Sequence, residues 1–201
     1  MKLLLGTTNP AKISDYKNFL IHSNLKLETL EEIGFVDEPL EIGKTFEEND
    51  VQKARFYAER TEYPTLADDG GFEIDFLDGR PGVESNRWLG PTATDEDKIN
   101  KILELLRGVA PEQRTARLRF VTVVFFPGEN ETLKVEGRIE GVVPETPSPN
   151  RRIGFPYRPI LFLPQFGKYF IDINEDEFQK INYRQKACKE LLLKLEPYLN
   201  Q

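Results

Sequence analysis

Short apolar runs alternate along this chain with stretches in which apolar residues recur every three or four positions, the pattern of strands interleaved with amphipathic helices. Lys2 to Gly6 reads as a buried first strand around Leu3-Leu4-Leu5. Asn9 is placed to cap a helix with Pro10 at its first position, and Ile13, Tyr16, Phe19 and Leu20 then share one face. Thr45 and Glu48 have the spacing of a capping box. They predict a helix to about Thr61, with Val51, Ala54, Tyr57 and Ala58 inward and Lys53 off that stripe. Thr65-Leu66-Ala67 and Phe72 to Phe76 predict two strands around an Asp68-Asp69-Gly70-Gly71 turn, and Asp78-Gly79 marks a further turn.

Thr94 predicts the cap of a helix through Arg107, with Ile99, Ile102, Leu103 and Leu106 inward. Leu118 to Phe126 is the strongest β run, and Gly128-Glu129-Asn130 turns it back into a strand from Thr132 to Ile139. The proline- and serine-rich stretch from Val143 to Asn150 is a loop, too short to link domains. Asn182-Tyr183-Arg184-Gln185 repeats the capping-box spacing and opens a last helix that buries Cys188, Leu191, Leu192 and Leu195. Alternating elements over 201 residues predict one α/β domain covering 1–201.

Composition narrows the chemistry. With 39% hydrophobic residues the chain can build a core, which excludes disorder, and a net charge of -7 argues against broad binding to nucleic acid. The apolar run at Leu3-Leu4-Leu5 ends at Gly6, short of the ~7 residues a secretory signal needs, which predicts a cytoplasmic protein without a membrane partner. One cysteine and one histidine, Cys188 and His22, exclude an internal disulfide framework and disfavour a thiolate or imidazole metal site. Oxygen ligands remain, and with them a hard cation such as magnesium.

Two segments carry candidate chemistry. After the first strand, Thr7 and Thr8 offer hydroxyls, Asn9 an amide, the helix start bare N–H groups and Lys12 a point charge, together a nest for a phosphate chain. This is not a Walker loop, because Ala11 stands where that motif has glycine and Ile13 separates Lys12 from Ser14. An ordinary capped helix after a strand is the alternative. The adjacent carboxylates of Asp68 and Asp69 repel one another unless a cation neutralises them. They suit a metal ion, or else a hydrated turn in which they accept backbone N–H groups. Glu41 and Lys53 read singly as surface charges. Taken together, the two segments suggest metal-assisted cleavage of a nucleotide phosphate.

In these stretches the chain resembles the inosine triphosphate pyrophosphatase family, over nearly its whole length. The matching residues are Thr7 to Lys12, Glu41 to Ala54, Ala67 to Gly71, Pro81-Gly82-Val83-Glu84-Ser85-Asn86-Arg87, Arg117 to Val121, Gly154-Phe155-Pro156-Tyr157, Gly167-Lys168 and Tyr183-Arg184. The resemblance implies a long mixed β-sheet flanked by helices, in two lobes with a central cleft. It also implies a homodimer and magnesium-dependent hydrolysis of non-standard keto purine nucleoside triphosphates to monophosphate and pyrophosphate. Thr7, Thr8, Asn9, Lys12 and Lys53 would hold the triphosphate. Glu41, Asp68 and Asp69 would hold magnesium, with Asp69 the base that deprotonates water and Lys53 beside it as a catalytic cation. Asp15, where the family usually has glutamate, is either near the metal or a solvated helix residue.

The base-binding positions implied are Gly70, Phe155, Pro156, Tyr157, Arg158, Phe178, Tyr183 and Arg184, and here the chain departs from the family. Its Gly154-Phe155-Pro156-Tyr157-Arg158-Pro159 stands for Gly-Phe-Gly-Tyr-Asp-Pro, so a guanidinium replaces a carboxylate. Phe178 stands for a lysine, Asn182-Tyr183-Arg184 for Ser-His-Arg, and Gly70 for a serine. Phe155 still offers a stacking face and Arg184 a donor to a purine oxygen. Arg158 either contacts the base or pairs with an acid such as Glu175 or Asp176. The altered pocket leaves two alternatives: a nucleotide-binding module without turnover, or the same chemistry on a modified or pyrimidine nucleotide.

Overall fold

The structure, a computed structural model, describes residues 1–129 and 132–199. Five helices and seven strands are found among them: β1 (Lys2–Leu5), α1 (Pro10–Phe19), β2 (Lys26–Thr29), α2 (Phe46–Thr61), β3 (Thr65–Ile74), α3 (Asp95–Leu105), β4 (Thr115–Phe125), β5 (Thr132–Val142), β6 (Phe162–Leu163), β7 (Lys168–Tyr169), α4 (Glu175–Ile181) and α5 (Tyr183–Leu199). The strands form one mixed sheet in the order β2-β1-β3-β4-β5-β6-β7. β1 pairs in parallel with both β2 and β3, while β6 pairs antiparallel with β5 and β7. The α/β class and the mixed sheet are therefore those expected.

Local chemistry sets the helix starts. Asn9 Oδ1 accepts the Ala11 and Lys12 N–H groups at 2.9 and 3.4 Å, and Pro10 occupies the first turn. Thr94 and Asp97 close a reciprocal capping box on α3. At α2 the box is only half made. Thr45 Oγ1 accepts the Glu48 N–H, but the Glu48 carboxylate takes the Lys44 N–H at 2.6 Å, one residue before the cap.

One expectation is overturned. The Asp68-Asp69-Gly70-Gly71 stretch is no turn: β3 runs unbroken from Thr65 to Ile74, with both aspartates in the strand. Leu4 and Leu5 of β1 pair with Thr65 and Leu66, and β3 lies between β1 and β4 in the sheet, so its place inside the sheet favours an extended strand where aspartate and glycine by themselves favour a bend. Gly71 is required by packing, since an added Cβ would lie 2.9 Å from Ser85 Cβ and closer still to Ser85 Oγ and the Gly82 carbonyl oxygen. The strand ends before Phe76, and the chain then turns through Asp78 and Gly79, both at positive φ. The short edge strand β2, with its weakly patterned Lys-Leu-Glu-Thr, is an addition. Of the expected turn after β4, Gly128 has a φ of 77°, whereas Asn130 lies outside the described residues.

Two compact units divide the chain: residues 1–69, 120–137 and 183–201, and residues 70–119 and 138–182. Strands β3, β4 and β5 each pass from one unit to the other along their length. The core of the first gathers Leu3, Leu5, Tyr16, Leu20, Leu66, Phe120, Val124, Cys188, Leu191 and Leu195, with a satellite of Leu4, Leu30 and Tyr57. The second buries Phe72, Ile74, Ile99, Ile102, Ile160, Leu161, Leu163 and Phe170. Among the described residues no helix is long and apolar enough to cross a membrane.

Candidate active site

The parallel pairing of β1 and β3 positions the site. The Leu5 and Leu66 registry, with the Gly6 N–H donating to the Leu66 carbonyl at 2.7 Å, sets the Thr7-to-Lys12 loop at the carboxyl end of β1 beside Asp68 and Asp69, which lie within β3. With β2 on one side of β1 and β3 on the other, this is the strand-order reversal at which open α/β sheets bind ligands. Thr7, Thr8, Asn9, Lys12, Glu41, Lys53, Asp68, Asp69, Tyr183 and Arg184 all belong to the first unit.

Charge pairing inside this unit is specific. Lys12 Nζ donates to the Asp68 carbonyl at 2.8 Å and lies 3.1 Å from Asp68 Oδ1; Arg184 Nη1 lies 3.2 Å from Asp68 Oδ2. Burial opposes ionisation of Asp68 most strongly, yet Lys12 and Arg184 outweigh it and hold the carboxyl below its ordinary range. Arg184 also lies 4.5 Å over the Phe120 ring, which packs edge-on against Tyr183. Lys53 is ion-paired with Glu41. Burial works against its charge, but Glu41, Asp50 and Asp69 raise its pKa on balance, so it stays an ammonium.

Asn49 ties the Glu41 loop to β3. Its Oδ1 accepts the Gly43 N–H at 2.7 Å and its Nδ2 donates to Asp69 Oδ2 at 3.4 Å. The phosphate nest differs from expectation, because the N–H groups of Ala11 and Lys12 are taken by Asn9 rather than bare. Thr7 Oγ1 accepts the Asn9 N–H, and Thr8 donates to Glu38 at 3.4 Å. The ligand-binding capacity of this loop rests on its hydroxyls and on Lys12.

Asp50 is a site residue that the motifs do not single out. Its carboxylate is fully buried with no hydrogen-bond partner on either oxygen. Burial first, then the charges of Asp68 and Asp69, push its pKa well above the ordinary range, while Lys12 and Lys53 pull the other way. A signal is present in the chain: Phe46, Asp50, Ala54 and Tyr57 follow helical spacing, so an acid interrupts an apolar stripe.

Phe155, Pro156, Tyr157, Arg158 and Phe178 lie in the second unit, as does Gly70. The Phe155 ring has the Arg152 guanidinium at 4.6 Å and that of Arg158 at 4.4 Å, and Arg158 also lies 4.8 Å from the Phe170 ring. Phe178 packs on Phe170 with ring centres 6.2 Å apart. Phe155 and Pro156 help line a cavity of about 510 Å³ beside the start of α3. Tyr157 points elsewhere. Its hydroxyl donates to the Ser85 carbonyl at 2.6 Å and its ring stacks on Phe72 at 4.9 Å.

The candidate donors are the carboxylates of Glu41, Asp68 and Asp69, and the chain carries only one cysteine and one histidine to favour a softer metal. Among the described residues no three carboxylate, imidazole or thiolate groups converge as a closed metal cage. Magnesium does not need one preformed, since substrate phosphates and water complete its shell. These residues fit a hard divalent cation.

Such a fold and such a cluster define an α/β protein with lysines and carboxylates gathered where β1 ends beside β3. The chain belongs to the Ham1 family, whose profile matches residues 3–194. It is 41% identical to the dITP/XTP pyrophosphatase of Bacillus subtilis (strain 168) over 193 residues, 96% of each chain. It is 38% identical to the dITP/XTP pyrophosphatase of Escherichia coli O157:H7, covering 95% of this chain and 96% of that one. The structure superposes on that of a HAM1 protein from Coxiella burnetii with a TM-score of 0.87, at 30% identity and covering 97% and 98% of the two chains.

Proposed function

We propose that residues 1–201 form one enzymatic domain that hydrolyses nucleoside triphosphates to monophosphate and pyrophosphate, acting on non-standard keto purines such as those of dITP and XTP. The observation that supports this most is the meeting of Lys12, Lys53, Asp68 and Asp69 within one unit, where β1 ends beside the first half of β3. Pyrophosphohydrolysis needs a triphosphate whose charge is neutralised and a water molecule held in line with the α-phosphorus.

Glu41, Asp68 and Asp69 are the residues that would hold Mg²⁺, which when bound neutralises phosphate charge and acidifies water. Lys12, Thr7, Thr8 and Asn9 bind phosphate oxygens. Lys12 and Arg184 neutralise Asp68 in this structure, and would be free to turn to the substrate if a bound cation met that charge instead. Asp69, held by Asn49, orients the water and takes its proton. Lys53 stays charged beside Asp69 and stabilises the negative charge that builds up at phosphorus. Phe155 offers a stacking face, and Arg158 and Arg184 offer donors that a keto oxygen accepts and a 6-amino group does not. By resemblance to its family the working form is a cytoplasmic homodimer.

The test is the purified protein with inosine, xanthosine, guanosine, adenosine and pyrimidine triphosphates, scored for pyrophosphate against phosphate. Pyrophosphate release from the keto purines, lost in EDTA and in Asp69→Asn, is expected. Binding without pyrophosphate release from any nucleotide would overturn the proposal.

A further inference from the structure

Asp50 has no task in the reaction above, yet it is the acid whose surroundings most call for a ligand. It lies on the inward stripe of α2 with 0% of its surface exposed, and neither carboxylate oxygen has a hydrogen-bond partner. A carboxylate buried in this state is strongly unfavourable unless an ion pairs with it. The charges that face it are Asp68, Asp69, Lys12 and Lys53. Neither ammonium serves it directly, because Lys12 is held by Asp68 and Lys53 by Glu41.

We infer that the Asp50 carboxylate is a ligand of the divalent cation at this site, reaching it from the inward face of α2. The inference rests on the reading given under the proposed function, and adds to it a donor from the helix interior. The geometry accounts for an otherwise costly feature. An unpaired acid facing two others is repelled by both when all are ionised, and a doubly charged ion among them reverses the sign of that interaction. Oxygen donors match the preference of Mg²⁺ or Mn²⁺ for hard ligands.

The experiment titrates the full chain with Mn²⁺, without nucleotide, and follows free Mn²⁺ by electron paramagnetic resonance in wild type, Asp50→Asn and Asp50→Ala. Thermal unfolding is recorded with and without Mn²⁺. Both variants should bind Mn²⁺ about tenfold more weakly or worse and lose the Mn²⁺-dependent rise in Tm. Without metal their Tm should match or exceed that of wild type, because the buried charge is gone. Wild-type affinity in Asp50→Asn would overturn the inference and leave the hydrolase reading standing. Failure of wild type itself to bind Mn²⁺ would overturn the inference and remove the cation from the hydrolase reading as well.

Discussion

Arg184 Nη1 lies 3.2 Å from Asp68 Oδ2, joining the first turn of the last helix to the third strand. With Lys12 on the other oxygen, a wholly buried carboxylate is kept ionised by two cations from opposite ends of the chain. Replacing Arg184 with Met keeps the stem and removes one of them, and should cost about 1–3 kcal/mol in urea unfolding. The sign with pH follows. The folded pKa of Asp68 lies below its unfolded value, so its stabilisation is present at neutral pH and fades as pH falls below about 4. The Tm difference between wild type and Asp68→Asn should shrink over that acid range; a difference independent of pH would refute the pairing.

Gly71 lies in β3 against Ser85 and Gly82, with no room for a methyl group. Gly71→Ala should lower stability by about 1–3 kcal/mol through overpacking. An unchanged urea midpoint would show that the Ser85 loop yields freely.

Burial pushes the Cys188 thiol up to about 12, with Arg184 opposing and Asp68 adding to the shift. Near pH 8 the folded protein should therefore resist thiol reagents that label it fully in denaturant, so that labelling reports opening of α5. Because the folded value is raised, the thiol's contribution to stability is complete below its unfolded value near 8.5 and is lost as pH rises towards 12. Rapid labelling of the native protein at pH 8 would contradict the burial.

Arg158 stacks near both Phe155 and Phe170. Arg158→Gln should reduce stability by about 0.5–2 kcal/mol through the lost cation–π contacts and alter the ratio of kcat/KM between xanthosine and inosine triphosphates. A loss of stability with that ratio unchanged would assign Arg158 to packing alone.

The helix starts are legible in the sequence because capping is local. Asn9-Pro10, Thr45 and Thr94 each act on donors within three residues, and the helices begin where these caps lie. The continuity of β3 is not. Asp68-Asp69-Gly70-Gly71 favours a bend taken alone, whereas in the fold it lies in a strand set between β1 and β4 and packs against Ser85. β2 escapes detection for a related reason, being a short edge strand whose Lys-Leu-Glu-Thr carries little periodic signal. Asp50 does leave a trace, since an acid on an apolar helical stripe is a feature of residue spacing alone.

By itself the sequence determined the order of elements, the caps and an oxygen-rich donor set, all of which depend on neighbours in the chain and on composition. The tertiary structure alone decided which charges meet: Asp68 with Lys12 and Arg184, Glu41 with Lys53, and Asp50 with no hydrogen-bond partner. Coulomb energies and desolvation depend on distance and burial in space, and neither is set by separation along the chain.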